Sequence, residues 1–123
     1  MAISQLRKDP VVDRWVIIAT ERSKRPHANR TRTESGRDEP CPFCAGREGN
    51  TPPEVLAYRD PSTPANTPGW RVRVVPNKYP ALDSMGDISL PTGSAYVAVG
   101  GVGAHEVIIE SPTHCLSMAE LAE

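Results

Sequence analysis

No stretch of this chain approaches the roughly 20 consecutive apolar residues that a membrane-spanning helix needs, so a soluble protein is expected. No excess of either charge sign exists: 14 Lys+Arg stand against 15 Asp+Glu, and nothing in the overall field argues for nucleic acid or an anionic membrane surface. The N-terminus, Met1-Ala2-Ile3-Ser4-Gln5-Leu6-Arg7-Lys8, lacks the apolar stretch and small-residue cleavage site of a secretory signal, which points to a cytoplasmic, reducing location. Cysteine is scarce and odd in number, at three, which makes a disulfide framework improbable and directs attention to metal binding or free thiols. The chain also has no Gly-x-x-x-x-Gly-Lys-Ser/Thr loop, which excludes a P-loop nucleotide site.

What the chain does have is proline, concentrated between Pro40 and Pro68 in a stretch also rich in Gly, Asn, Thr and charge, where regular structure should be sparse. The 123 residues suffice for one domain with a modest core. Arg14-Trp15-Val16-Ile17-Ile18-Ala19 is dense in β-branched and aromatic residues and predicts a core strand, fed by a turn over Leu6 to Asp13. Trp70 to Val75 alternates, which predicts Trp70, Val72 and Val74 on one face and Arg71 and Arg73 on the other. His105 to Ser111 predicts a partner strand; in an antiparallel pair, Glu106 or Glu110 would face Arg71 or Arg73. Ser94 to Val99 predicts a further short strand before the flexible Gly100-Gly101-Val102-Gly103. Ser117-Met118-Ala119-Glu120 has the capping-box pattern, so a helix is expected to begin at Met118; only a few residues follow, and the chain reads as the front part of a longer polypeptide.

Chemistry centres on Cys41-Pro42-Phe43-Cys44. Two thiols at this spacing in a turn point the same way, and thiolate with imidazole is the donor mix that tetrahedral zinc prefers. Candidate further ligands are His27, His105, His114 and Cys115, with His114 favoured because Ser111-Pro112-Thr113 can turn its imidazole toward a neighbouring loop, and His105 as the alternative. A thioredoxin-like redox role would need the cysteines at a helix N-terminus after a strand, and Pro40 with Ala45-Gly46-Arg47 does not supply that context. Arg22-Ser23-Lys24-Arg25-Pro26 concentrates positive charge and suits either a solvated loop or a phosphate. Asn77, at a strand end after Pro76, can both donate and accept hydrogen bonds to a sugar or base edge.

Several segments together resemble the N-terminal part of galactose-1-phosphate uridylyltransferases, of the histidine-triad superfamily. They are Leu6-Arg7-Lys8-Asp9-Pro10 with Arg14 to Ile18, Glu21 to Pro26, Cys41 to Cys44, Trp70 to Leu82, and Gly103 to His114. They cover nearly the whole chain in order, and they also resemble the related phosphorylases acting on ADP-glucose. The resemblance implies an α+β fold, an antiparallel sheet with helices on one side, incomplete at the C-terminus, with residues 1–123 as the N-terminal portion of one domain. It implies a homodimer, and zinc held by Cys41, Cys44 and His114 with a fourth ligand, a histidine, from later in the chain.

The same resemblance places Asn77 at a nucleotide contact, Phe43 and Val107 beside the base, and Arg25, with Arg22 nearby in the basic stretch, at the nucleotide of the partner subunit. Lys78 and Tyr79 depart from the acidic and phenylalanine residues that some members carry there, which bears on base choice. Such enzymes move a uridylyl group from UDP-glucose to galactose-1-phosphate through a histidine of a His-Pro-His-type motif, so the implied partners are a UDP-sugar and a hexose-1-phosphate. No His-x-His occurs in these residues, and the fragment alone is expected to be inactive. A reading from a different class is a non-catalytic, zinc-stabilised binding module.

Overall fold

The computed structural model describes residues 4–25, 41–89, 97–114 and 117–121. Among the described residues, six short strands run in the order β1 Gln5–Lys8, β2 Trp15–Ile18, β3 Leu56–Arg59, β4 Trp70–Pro76, β5 Ala98–Gly100 and β6 Glu106–Ile109. They form two antiparallel three-stranded sheets, β2-β1-β5 and β3-β4-β6. The helices among the described residues are single 3-10 turns at Thr20–Lys24, Glu48–Asn50 and Met118–Glu120. None is long and apolar enough to cross a membrane. The chain divides into two compact units, Met1–His27 with Tyr79–His105, and Ala28–Lys78 with Glu106–Glu123.

In the first unit β1 and β2 make a hairpin, with Gln5 opposite Ile18 and Lys8 opposite Trp15. The turn was expected to begin at Leu6; it is confined to the residues after Lys8, because Asp9 closes it. The Asp9 carboxylate accepts the amides of Val11 and Val12 at 2.8 and 3.2 Å, the Asp9 amide donates to Arg14 O at 2.7 Å, and Asp13 takes φ 45°. β2 is not the core strand its composition predicted: Trp15, Val16 and Ile17 remain 46, 41 and 46% exposed. It lies at the edge of its sheet, and apolar sequence buries itself only where another layer covers it.

β5 pairs with β1, and residues 81–89 lie along it: the Gly100 amide donates to Ile88 O at 2.9 Å and the Asp83 amide to Gly101 O at 2.9 Å. A Cβ on Gly100 would lie 1.7 Å from Asp87 O, so only hydrogen fits there. Residues 94–96 of the strand predicted over Ser94 to Val99 lie outside the described residues; among those described the strand begins at Ala98.

In the second unit β4 and β6 pair antiparallel as predicted, with Arg73 opposite Ile109 and Pro76 opposite Glu106. The predicted facing of β4 is corrected by a register shift. β3 opposes Tyr58 to Val72 but Arg59 to Trp70, so Arg71 is an extra residue and Trp70 falls on the same face as Arg73 and Val75. That face holds the buried hydrophobic cluster of the described residues, Trp70, Val75 and Ile109, with Ala57 and Val107 against it. Leu56, Tyr58 and Ile108 occupy the opposite, exposed face. Truncation in so small a cluster is felt strongly. Ile109→Ala is expected to cost roughly 2–5 kcal/mol, read as a fall in the urea midpoint.

Arg73 is 1% exposed, and its partner is neither Glu106 nor Glu110. Its Nε donates to Glu54 Oε2 at 2.8 Å, and its two Nη atoms reach Thr51 Oγ1 at 2.7 Å and Asn66 Oδ1 at 3.1 Å. Glu54 also accepts Arg59 Nη2 at 2.8 Å, while Arg59 Nη1 donates to Pro64 O at 2.7 Å and Thr67 O at 3.1 Å. The proline-rich segment is therefore folded onto β4 by charged side chains, which meet backbone donors and acceptors that prolines leave without regular partners.

At the C-terminal end Ser117 caps the turn Met118–Glu120, its Oγ accepting the Ala119 amide at 3.2 Å, where the capping box predicted a helix to start. Within the described residues the helix amounts to one 3-10 turn.

Candidate metal centre

The Cys41–Cys44 segment is a run of tight turns. The Cys44 amide donates to Cys41 O at 3.4 Å and the Arg47 amide to Cys44 O at 3.2 Å, while Gly46 takes φ 89°, which glycine adopts without the Cβ clash. The Ala45 amide then donates to Pro112 O at 3.0 Å, tying this turn to the loop after β6. In that loop Ser111 Oγ accepts the Thr113 amide at 3.1 Å, and His114 Nδ1 arrives 3.6 Å from Cys44 Sγ.

One donor atom from each of Cys41, Cys44 and His114 lies within 4.8 Å of the others, so the three can hold a metal ion together. Both cysteines are half-buried and free, and His114 is exposed. The Cys44 thiol pKa is raised by burial and by hydrogen bonding and repulsion from Cys41, with Arg47 opposing. A metal ion would have to displace that proton. The same residues line a cavity of about 210 Å³, shared with Phe43, Glu110, Ser111, Thr113 and Leu121.

Beneath this turn lies Glu48, only 6% exposed. Its Oε1 accepts Trp70 Nε1 at 2.9 Å, and both of its oxygens accept the Gly46 amide, at 3.2 and 3.0 Å. Burial would raise its pKa. The bond from Trp70, the backbone bonds and the Arg73 charge outweigh that and hold the carboxyl below the usual range.

The remaining candidates are spread over the two units. Arg22 Nη1 donates to Tyr79 O at 2.9 Å and lies 3.3 Å from His105 Nδ1, which also accepts the Ala81 amide at 2.9 Å. His105 is thus engaged by the first unit's own backbone, and the cysteines meet His114 instead. Arg25 is exposed and closes the first 3-10 turn through its amide. In the second unit Phe43 lines the cavity, Asn77 is half-buried just past β4, and Val107 packs against the Trp70 cluster. His27 and Cys115 lie outside the described residues. Sequence reading missed Glu48 and Glu54, because an isolated Glu in a polar, proline-rich stretch carries no local sign of burial. The short spacing from Cys44 to Glu48 was the one available hint.

Among known proteins, the chain is 37% identical over 126 residues to an ADP-glucose phosphorylase of Arabidopsis thaliana. Its homologues are an ADP-glucose phosphorylase and uridylyltransferases of the galactose-1-phosphate uridylyltransferase family. The alignment takes in 95% of the chain but 33% of the phosphorylase, so the chain spans about a third of the length of that relative. Among solved structures, a uridylyltransferase of this family matches with a TM-score of 0.52 at 26% identity, over 91% of the chain and 26% of its own. A mutant uridylyltransferase matches with a TM-score of 0.54 at 24% identity over the same shares, a likeness of fold alone. No protein-family model matches the chain. These homologues are nucleotidyltransferases and phosphorylases that act on sugar nucleotides.

Proposed function

We propose that this chain is the N-terminal portion of a nucleotidyl-transferring domain acting on sugar nucleotides, and that it supplies three zinc ligands and part of a nucleotide pocket. The convergence of Cys41, Cys44 and His114 carries the reading. Tetrahedral zinc with Zn–S of about 2.3 Å and Zn–N of about 2.0 Å separates a sulfur from a nitrogen ligand by about 3.6 Å. Cys44 Sγ and His114 Nδ1 are 3.6 Å apart. The donor set, two thiols and an imidazole, also suits zinc over harder cations. When bound, zinc clamps the Cys41–Cys44 turn to the loop after β6 and stabilises the fold. Phe43 would offer an apolar face to a base in the adjoining cavity, with Val107 and Asn77 completing the base contacts. Arg25 would meet the nucleotide of the partner subunit in a homodimer.

The 37% identity to an ADP-glucose phosphorylase favours ADP-glucose as the sugar nucleotide and phosphorolysis as the reaction. Uridylyl transfer between UDP-glucose and galactose-1-phosphate is the second reading, favoured by the fold likeness to a uridylyltransferase. In either, a histidine outside these residues attacks the phosphate and holds the nucleotidyl group, because His-x-His is absent here.

The test compares ADP-glucose with phosphate against UDP-glucose with galactose-1-phosphate, using the protein extended to the length of its relatives. Faster turnover of ADP-glucose is expected, and a preference for the uridine pair would decide for the second reading. The 123 residues alone are expected to turn over neither; activity from them would overturn the placing of the nucleophile elsewhere.

A further inference from the structure

We propose that Glu48 is the positioning residue of the metal centre: its buried carboxylate fastens the turn that carries Cys41 and Cys44 to β4, so both thiols already face His114 before a metal arrives. This rests on the reading of Cys41, Cys44 and His114 as metal ligands.

Cys41–Cys44 belongs to no strand and contains a proline, and Gly46 just beyond it is free to adopt many conformations. Two attachments fix it. One is the Ala45 amide on Pro112 O, which sets the turn against the loop of His114. The other is Glu48, which takes the Gly46 amide on both oxygens and Trp70 Nε1 on one of them. Trp70 is 2% exposed in the core cluster, so Glu48 joins the residue two past Cys44 to the buried cluster of the unit.

A carboxylate suits this place better than an amide or hydroxyl. Two donors, the Gly46 amide shared by both oxygens and Trp70 Nε1, converge on it; a carboxylate meets them as pure acceptor, whereas a glutamine would set its own NH2 against the Gly46 amide. The Arg73 guanidinium offsets the charge of the buried group. A second partner of this kind orients metal ligands without touching the metal, and its loss typically lowers affinity about 10–100-fold.

The experiment measures zinc affinity by competition with a chromophoric chelator, and the absorption of the cobalt(II) form, in wild type, Glu48→Gln, Trp70→Phe and Glu54→Gln. Glu48→Gln is expected to bind zinc about 10-fold or more weakly and to shift the cobalt bands while its circular dichroism stays native. Trp70→Phe removes the anchor on β4 together with some core volume and leaves the Gly46 contact, so it should weaken binding as well; it carries the comparison should Glu48→Gln fail to fold. Glu54→Gln lies outside the cavity and should lower stability with affinity unchanged, which separates positioning from general loosening. Wild-type affinity and spectrum in folded Glu48→Gln, or in Trp70→Phe where Glu48→Gln does not fold, would overturn the proposal. A wild-type chain that binds neither zinc nor cobalt would overturn the metal reading beneath it.

Discussion

Excess chelator is expected to lower the melting temperature of this chain by roughly 10–20 °C in reducing buffer. A ligand at about a thousand times its dissociation constant adds about 4 kcal/mol to the folded state, and each kcal/mol moves the midpoint by roughly 4 °C in a domain of this size. The effect is large because of what the metal replaces. The buried hydrophobic cluster of the described residues has three members, all in the second unit, and a small core leaves much of the stability to cross-links. Zinc bound by Cys41, Cys44 and His114 would close one between segments about 70 residues apart. Cys41→Ser should reproduce the loss without chelator. Metal analysis showing no zinc, together with a melting curve indifferent to chelator, would count against it.

The second large effect is expected at Glu54. Glu54→Ala leaves Arg73, which is 1% exposed, without its carboxylate and removes the ion pair of Arg59 as well. Stripping one partner from a buried pair costs about 3–5 kcal/mol, a large share of the 5–15 kcal/mol that usually holds a domain together. Urea denaturation followed by tryptophan fluorescence would read it, since Trp70 lies in the same sheet. The sign of the pH dependence follows from the Glu54 carboxyl. Burial would raise its pKa, but hydrogen bonds from Arg73, the Asn66 backbone and Arg59 hold it below the ordinary value. A depressed folded pKa means that this stability is complete above the ordinary glutamate range and is lost as pH falls through that range and below it. Glu48, also depressed, acts in the same direction. Wild type should therefore lose stability on acidification, and Glu54→Ala should show a flatter acid limb. Parallel acid limbs for the two would refute the assignment.

How far the sequence can be read depends on whether the cause of a feature is local. The Cys41–Cys44 spacing, the Ser117 cap and the apolar runs of β4 and β6 are local, and each appears where the residues predicted it. The facing of β4 is not. Alternation assigned Arg73 to the outside, and the extra residue at Arg71, visible only through the pairing of β3, turned it inward. Nor is burial of β2, whose Trp15, Val16 and Ile17 carry every local mark of a core strand and remain half exposed at the edge of a small sheet.

By itself, then, the sequence determined the thiol pair, the β4 and β6 strands and the absence of a His-x-His motif, because these depend on residue type and short spacing. Tertiary structure decided between His114, which the sequence favoured, and His105, and brought His114 to the cysteines. His105 Nδ1 is taken by the Ala81 amide, while the bond from Ala45 to Pro112 draws the His114 loop in. It also decided that Glu48 and Glu54 are buried acceptors rather than solvated charges. Their partners Trp70, Arg59 and Arg73 are brought to them by folding, and a buried carboxylate is tolerated only where such donors converge.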